Sequence, residues 1–213
     1  MHSGAASATS IGTSVPVSLP RWQWRTFGDD LTWLSRRLDA PDLGRGRWTD
    51  EVHLVCLRSS HHAWLLRDTL ELRWRKEVGP EGFELWDPIL RATLPFDPAS
   101  VSRLFAAWGL TRDASALGFA DTRSFIELLE QSTPDVRVVR LARRRERTMV
   151  DGIDCSYETI TVGPDARWQS FAVEHEDPTV IAHALRTLGL DARDNINFIQ
   201  GLKRALGFAD ERH

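Results

Sequence analysis

Arginine and glutamate alternate with apolar residues in several stretches of this chain. Between Leu70 and Val78, Glu71, Arg73, Arg75 and Glu77 fall on one side, and Leu70, Leu72 and Trp74 on the other. That is the period-two pattern of a β-strand. Between Val136 and Thr148, Arg137, Arg143 and Arg145 share one face, with Arg140 and Arg144 on the opposite one. The stretch Trp168–Glu176 offers Glu174 and Glu176, and Arg21–Phe27 offers Gln23 and Arg25. Guanidinium groups bind phosphate oxygens bidentately. Carboxylates among them can hold a hard divalent cation that neutralises phosphates and activates water. A surface lined in this way suits a polyanion. The same charges also fit the solvated outer faces of strands, and a one-residue change of register on Val136–Thr148 exchanges Arg143 and Arg145 for Arg144.

The elements that must position these side chains follow a repeating order. After the Arg21–Phe27 strand, Gly28 breaks the pattern, and Asp29 or Asp30 can cap a helix carrying Leu31, Leu34 and Leu38; Pro41–Gly46 reads as the loop that ends it. Strands are expected at Glu51–Leu57, Ala63–Arg67 (after a Ser59–His62 turn), Leu70–Val78 and Phe83–Leu94. Pro88 marks the last as an edge or a bulge. A helix then runs from Asp97-Pro98 to Gly109, and a shorter one over Thr122–Gln131. Further strands follow at Val136–Thr148, Ile153–Val162 and Trp168–Glu176, the first two joined by an Asp151-Gly152 hairpin turn. Asp177-Pro178 starts a helix stopped by Gly189, and a last helix covers about Asn195–Leu206. The spans Asp97-Pro98…Trp108-Gly109-Leu110 and Asp177-Pro178…Leu188-Gly189-Leu190 have equal length and the same start and stop residues. Each follows a set of short strands, which predicts two similar halves. Two such curved sheets can close into a barrel without edges, with alternate residues facing its lumen. The expected fold is α+β: a closed antiparallel β-barrel of about eight strands with flanking helices.

Composition limits the alternatives. A length of 213 residues, 42% hydrophobic and 27% charged, suits a single globular domain. We expect tails at residues 1–19 and 208–213 around a domain spanning 20–207. The net charge of -3 provides no global field towards nucleic acid, and no second basic run supports Arg143–Arg147 as a nucleic-acid contact. No stretch has the apolar length of a membrane span, and the N-terminus has no signal-peptide pattern, so a cytoplasmic protein, monomer or homodimer, is expected. Cys56 and Cys155 lack zinc-site spacing and read as buried thiols. His61-His62 with His53 fits no metal template and reads as a turn pair. His175 should face away from the two glutamates that flank it. Neither a phosphate-binding G-x-x-x-x-G-K-[ST] loop nor G-x-G-x-x-G is present. Trp33, Trp74 and Trp108 read as core residues, whereas Trp22, Trp24, Trp64 and Trp168 could place aromatic surface in the lumen.

The ordered series Arg25-Thr26-Phe27-Gly28, Leu70-Glu71-Leu72-Arg73, Phe83–Pro88, Ala172–Asp177, Leu188-Gly189-Leu190 and Asn197…Leu202-Lys203-Arg204…Leu206-Gly207 resembles the CYTH, or triphosphate-tunnel, superfamily, in particular its actinobacterial members. That superfamily includes class IV adenylate cyclases, thiamine triphosphatases and inorganic triphosphatases. The resemblance implies that Arg25, Arg67, Arg73, Arg75, Arg143 and Arg145 bind a triphosphate or other phosphorylated small molecule. It further implies that Glu174 and Glu176, joined by Glu71 or Glu158, hold Mg2+ or Mn2+ and carry the catalysis. The first strand departs from the family's E-x-E-x-K hallmark: the same spacing here reads Arg21-Trp22-Gln23-Trp24-Arg25, without either carboxylate. The expected activity is metal-assisted phosphohydrolysis. The alternatives are a non-catalytic phosphate-ligand domain, and a diverged cyclase or lyase acting on a phosphorylated or pyrophosphorylated substrate.

Overall fold

A computed structural model of the chain describes residues 19–38, 46–111, 119–150 and 152–208. The expected tails (except Leu19 and Phe208), the Pro41–Gly46 loop up to residue 45, and Asp151 of the hairpin turn lie outside the described residues. Eight strands close into one antiparallel barrel: β1 (Arg21–Gly28), β2 (Trp48–Cys56), β3 (His62–Leu66), β4 (Thr69–Val78), β5 (Glu84–Thr93), β6 (Val136–Val150), β7 (Ile153–Val162) and β8 (Ala166–His175). Their order around the wall is β1-β5-β4-β3-β2-β6-β7-β8. The helices are α1 (Leu34–Arg37), α2 (Pro98–Ala107), α3 (Thr122–Ser132), α4 (Pro178–Leu188) and α5 (Phe198–Ala205). None of the described helices is long and apolar enough to cross a membrane.

Register decides which side chains face inward. Gln23 lies opposite Glu174, and Glu174 opposite Asp154. His53 lies opposite Trp64, and Trp64 opposite Glu71. Arg143 and Arg145 lie opposite Ile160 and Glu158. Because pleated side chains alternate, these rows form one inner face around the closed wall.

The outer faces are covered by helices. Leu54, Ala63, Leu65, Leu70 and Leu72 pack under α2 and α3, against Leu104, Phe105, Phe125 and Leu129. Trp24, Phe171 and Val173 pack under α1 and α4. The fifth helix has a different job. Its Phe198, Ile199 and Leu202 meet the inward-facing Val55, Val139, Leu141 and Ile160, so α5 plugs one end of the barrel with apolar side chains. Lys203 Nζ ties the plug down by donating to the carbonyls of Leu57 and Ser59 at 2.8 and 3.0 Å. Each such large apolar side chain contributes about 1.5–3 kcal/mol by leaving water.

Local signals explain most boundaries. Asp97 and Asp177 accept hydrogen bonds from Ser100 N and Thr179 N at the starts of α2 and α4, and each is followed by proline. Gly189, at φ 67°, ends α4 in the left-handed conformation that glycine adopts without cost. Asn197 and Gln200 form a reciprocal capping box, which starts α5 at Phe198, three residues after the expected Asn195.

Three local expectations are corrected, and one left open is decided. The helix after Gly28 is a single turn, Leu34–Arg37, because Asp30 spends its carboxylate on the Thr32 backbone and hydroxyl instead of capping. Of the two readings of Pro88, the bulge holds, since a closed barrel has no edge strand and the register slips between Leu72 and Arg73, opposite Pro88. A second slip between Arg75 and Glu77 leaves Glu77 exposed beyond the arginine row. Trp74 is 49% exposed, on the outer wall past the helices that cover Leu70 and Leu72, with His61 against its ring. Both cysteines are free and buried, and burial pushes the Cys155 thiol up to about 12, which keeps it inert.

Candidate functional site

Above the apolar plug the lumen becomes ionic. Arg25 on β1 and Arg143 on β6 lay their guanidinium groups over the Phe198 ring, each 5.3 Å from its centroid. Glu158 on β7, fully buried, is the hub of this layer. It accepts from Arg25 Nη1 at 2.8 Å, Arg145 Nε at 2.6 Å and Ser170 Oγ at 3.3 Å, with Arg143 Nη1 at 3.8 Å. Burial alone would raise its pKa, but the charges of Arg145, Arg25 and Arg143 overcome that and hold it well below the usual carboxylate range. Glu51 on β2 is the second hub: one oxygen accepts from Arg143 Nε and Nη2 at 3.0 and 2.6 Å, and the other lies 2.9 Å from His53 Nε2. Glu84 on β5 is the third, accepting from Arg75 Nη1 and Asn197 Nδ2 at 2.9 Å and from the Trp86 indole at 3.2 Å.

Towards the open end the balance shifts to arginine. Glu174 on β8 accepts from Gln23 Nε2 at 2.5 Å and lies 3.8 Å from Arg73 Nη1. Arg73 stands over the Trp64 ring at 5.7 Å. Arg21 reaches Asp154 at 2.6 Å. Arg147 forms no ion pair with any described residue. Between them lies a mouth cavity of about 230 Å³, lined by Arg21, Arg73, Arg145, Arg147, Asp154, Ser156 and Glu174. Below it, Arg73, Arg145 and Glu174 also wall a deep chamber of about 30 Å³, which Gln23, Arg25, His62, Trp64, Trp86, Arg143 and Phe198 complete.

Arg25, Arg73, Arg143 and Arg145, proposed from sequence as anion binders, therefore converge, and the lumen takes Arg143 and Arg145 rather than Arg144. Arg75 also lies on the lumen side, but Glu84 engages its guanidinium and it does not line the cavity. Arg67 lies elsewhere. It occupies the two-residue turn between β3 and β4 in a left-handed conformation, φ 55°, and faces a groove on the outer wall. That groove, about 640 Å³, is the larger hollow; it is open, and Val52, Leu65 and Ala142 share its lining with Asp50, Thr122, Thr161 and the arginines Arg67 and Arg140. The four proposed metal ligands are dispersed. Glu158 is sealed under three arginines, Glu71 pairs with Arg91 at 3.8 Å, Glu174 is held by Gln23 and Arg73, and Glu176 is exposed beyond the end of β8. Among the described residues no three His, Cys, Asp or Glu side chains come together as a cation site. The donor set does not fit Mg2+ or Mn2+: its carboxylates neutralise guanidinium groups instead of facing one another.

Sequence reading missed Glu51, Glu84, Trp86 and Phe198 as lumen residues, and it read His53 and His62 as unrelated to the site. Glu51 and His53 are two apart on one strand, so their common face was available as a signal. Phe198 had none, because a helix plugging the barrel is a tertiary feature. Of the four tryptophans left open, Trp64 lines the lumen, Trp22 and Trp24 pack with the outer core, and Trp168 packs at the plugged end.

No known family matches the sequence, and no curated protein does. In backbone shape the chain is similar to a candidate adenylate cyclase from Bacillus halodurans (TM-score 0.48, 10% identity, covering 85% of this chain and 97% of the other). It is also similar to a conserved hypothetical protein from Pyrococcus furiosus (TM-score 0.46, 10% identity, 84% and 98%). At such identities and scores these likenesses say nothing about chemistry. The candidate site rests on its own side chains.

Proposed function

We propose that the open half of this barrel binds a phosphate-bearing small molecule, clamped by Arg21, Arg73, Arg145 and Arg147 without a cation held by the protein. One observation carries the reading. Arg21 Nε and Arg73 Nε at the mouth, and Arg25 Nε and Arg143 Nη1 at the deep chamber below it, are buried guanidinium nitrogens with no hydrogen-bond acceptor among the described residues, a state shared outside the lumen by Arg144 Nε. Buried donors without acceptors are costly, and several in one lumen call for an acceptor-rich guest. Phosphate oxygens match them, being charged and able to take paired guanidinium bonds. The carboxylates fix the arginines in place before the ligand arrives, which lowers the ordering cost of binding.

Metal-assisted hydrolysis would need carboxylates free to meet a cation, and this lumen commits Glu51, Glu84 and Glu158 to arginine. These commitments favour ligand binding by arginine alone. Calorimetric titration with tripolyphosphate in the presence of a chelator tests it. Saturable binding of one ligand, weakened by salt, is expected; no heat of binding with or without Mg2+ would refute it.

A further inference from the structure

The lumen holds a chain of titratable groups that phosphate binding by arginine does not use. His53 Nε2 lies 2.9 Å from Glu51 Oε2, and His53 Nδ1 lies 3.0 Å from His62 Nε2. The protons on this chain follow from its anchored end. Glu51 is ionised, because the bond from His53 and the charge of Arg143 outweigh its burial. An ionised carboxylate only accepts, so His53 carries its proton on Nε2 and presents a bare Nδ1. His62 must then donate from Nε2. That leaves the lone pair of His62 Nδ1, which has no hydrogen-bond partner among the described residues, on a ring that lines the deep chamber with Arg73, Arg145 and Glu174.

Packing against Phe198 explains why the rings are flat against it, His53 at 4.8 Å and His62 at 5.0 Å between centroids. It does not explain a fully buried imidazole and a half-buried one wired to a carboxylate, since apolar side chains would pack there without needing partners.

We propose that Glu51, His53 and His62 form a proton relay ending at the deep chamber directly below the arginine clamp, so that His62 takes up a proton when a phosphate oxygen of the bound ligand enters that chamber. This rests on the ligand reading above. A solvent proton adds to His62 Nδ1, and the resulting N–H donates a charge-assisted hydrogen bond to a phosphate oxygen. The positive charge is shared along the relay, because His62 Nε2–H can pass its proton to His53 Nδ1 beside Glu51. The groups facing His62 set the direction. In the free protein, burial, His53 and the charges of Arg143, Arg73 and Arg25 keep it neutral, its pKa well below the ordinary histidine value. Arg145, Glu158, Glu174 and Glu84 complete the charged surroundings. A polyanion cancels the arginines' repulsion, so the bound pKa rises. Protons are then taken up on binding, and affinity increases as pH falls through that interval.

Calorimetry with tripolyphosphate at pH 6.5, in two buffers of different ionisation enthalpy, reads the uptake. Wild type is expected to take up about one proton more per ligand than His62→Gln, the ligand's own titration being common to both. In unmodified protein, a histidine ring resonance should move to the protonated position on adding tripolyphosphate, a readout that needs no variant to fold. Binding with equal proton uptake in both proteins and unmoved histidine resonances would overturn the relay alone. No binding at all would overturn the relay together with the ligand reading.

Discussion

Arg145 Nε sits 2.6 Å from Glu158 Oε1, so the residue at the cavity mouth is held by a carboxylate that also holds Arg25 at the floor. Glu158 thus joins two layers of the lumen, and its removal should be felt both in stability and in binding.

Replacing Glu158 with Gln leaves Arg25, Arg145 and Arg143 facing one another in a buried site. Breaking a buried ion pair from one side costs about 3–5 kcal/mol. Urea unfolding at pH 7 should show a loss in that range; a change below about 1 kcal/mol would mean that the arginines find other partners.

Acid should weaken the fold in two stages. The folded-state values of His53 and His62 are lowered, chiefly by burial, and that of His61 is lowered to about 4. The unfolded chain therefore binds more protons below the ordinary histidine value, about 6.5, and stability falls as pH drops from there. The lowered Glu158 and Glu51 act later: their contribution is complete above the unfolded carboxylate value, about 4.3, and is lost as pH falls through their folded values. Unfolding free energy measured from pH 8 to 3 should begin to decline near pH 6.5 and steepen below about 4.5. His62→Gln should flatten the upper limb, and an unchanged upper limb would contradict the burial of that ring.

Arg147 has no ion-pair partner among the described residues and lines the mouth cavity, so Arg147→Ala separates binding from folding. Tripolyphosphate affinity should drop about tenfold, the worth of one charge-assisted hydrogen bond, with the thermal midpoint nearly unchanged. Arg75→Ala, whose guanidinium Glu84 engages, should change affinity little. The reverse ranking would relocate the ligand.

Gly201 lies on α5 where a Cβ would come within 2.4 Å of the Phe27 ring. Gly201→Ala must push either the ring or the plug aside, and overpacking of this kind costs about 1–3 kcal/mol. A neutral or stabilising result in thermal unfolding would show that Phe27 swings away freely.

The barrel was legible from the chain because strand alternation, Gly turns and Asp-Pro caps are local signals, and β7 runs from Ile153 to Val162 as its pattern suggests. The inward arginines were legible for the same reason. What the carboxylates do was not. Period two places Glu158 and Glu174 on the lumen face, but only the register across β6, β7 and β8 sets Glu158 opposite Arg145 and Glu174 opposite Asp154. Likewise His53 and His62 lie nine residues apart on paired strands, and their contact depends on how β3 folds back onto β2. Glu176 shows the limit from the other side: the alternation continues, but the strand ends at His175.

The most direct test of the central claim is where an anion sits. In a crystal of the protein soaked with tungstate, anomalous density is expected in the mouth cavity between Arg73 and Arg145, within reach of Arg21 or Arg147. Density confined to the outer groove at Arg67 and Arg140, or a lumen that stays free of tungstate while tripolyphosphate binds in solution, would contradict it.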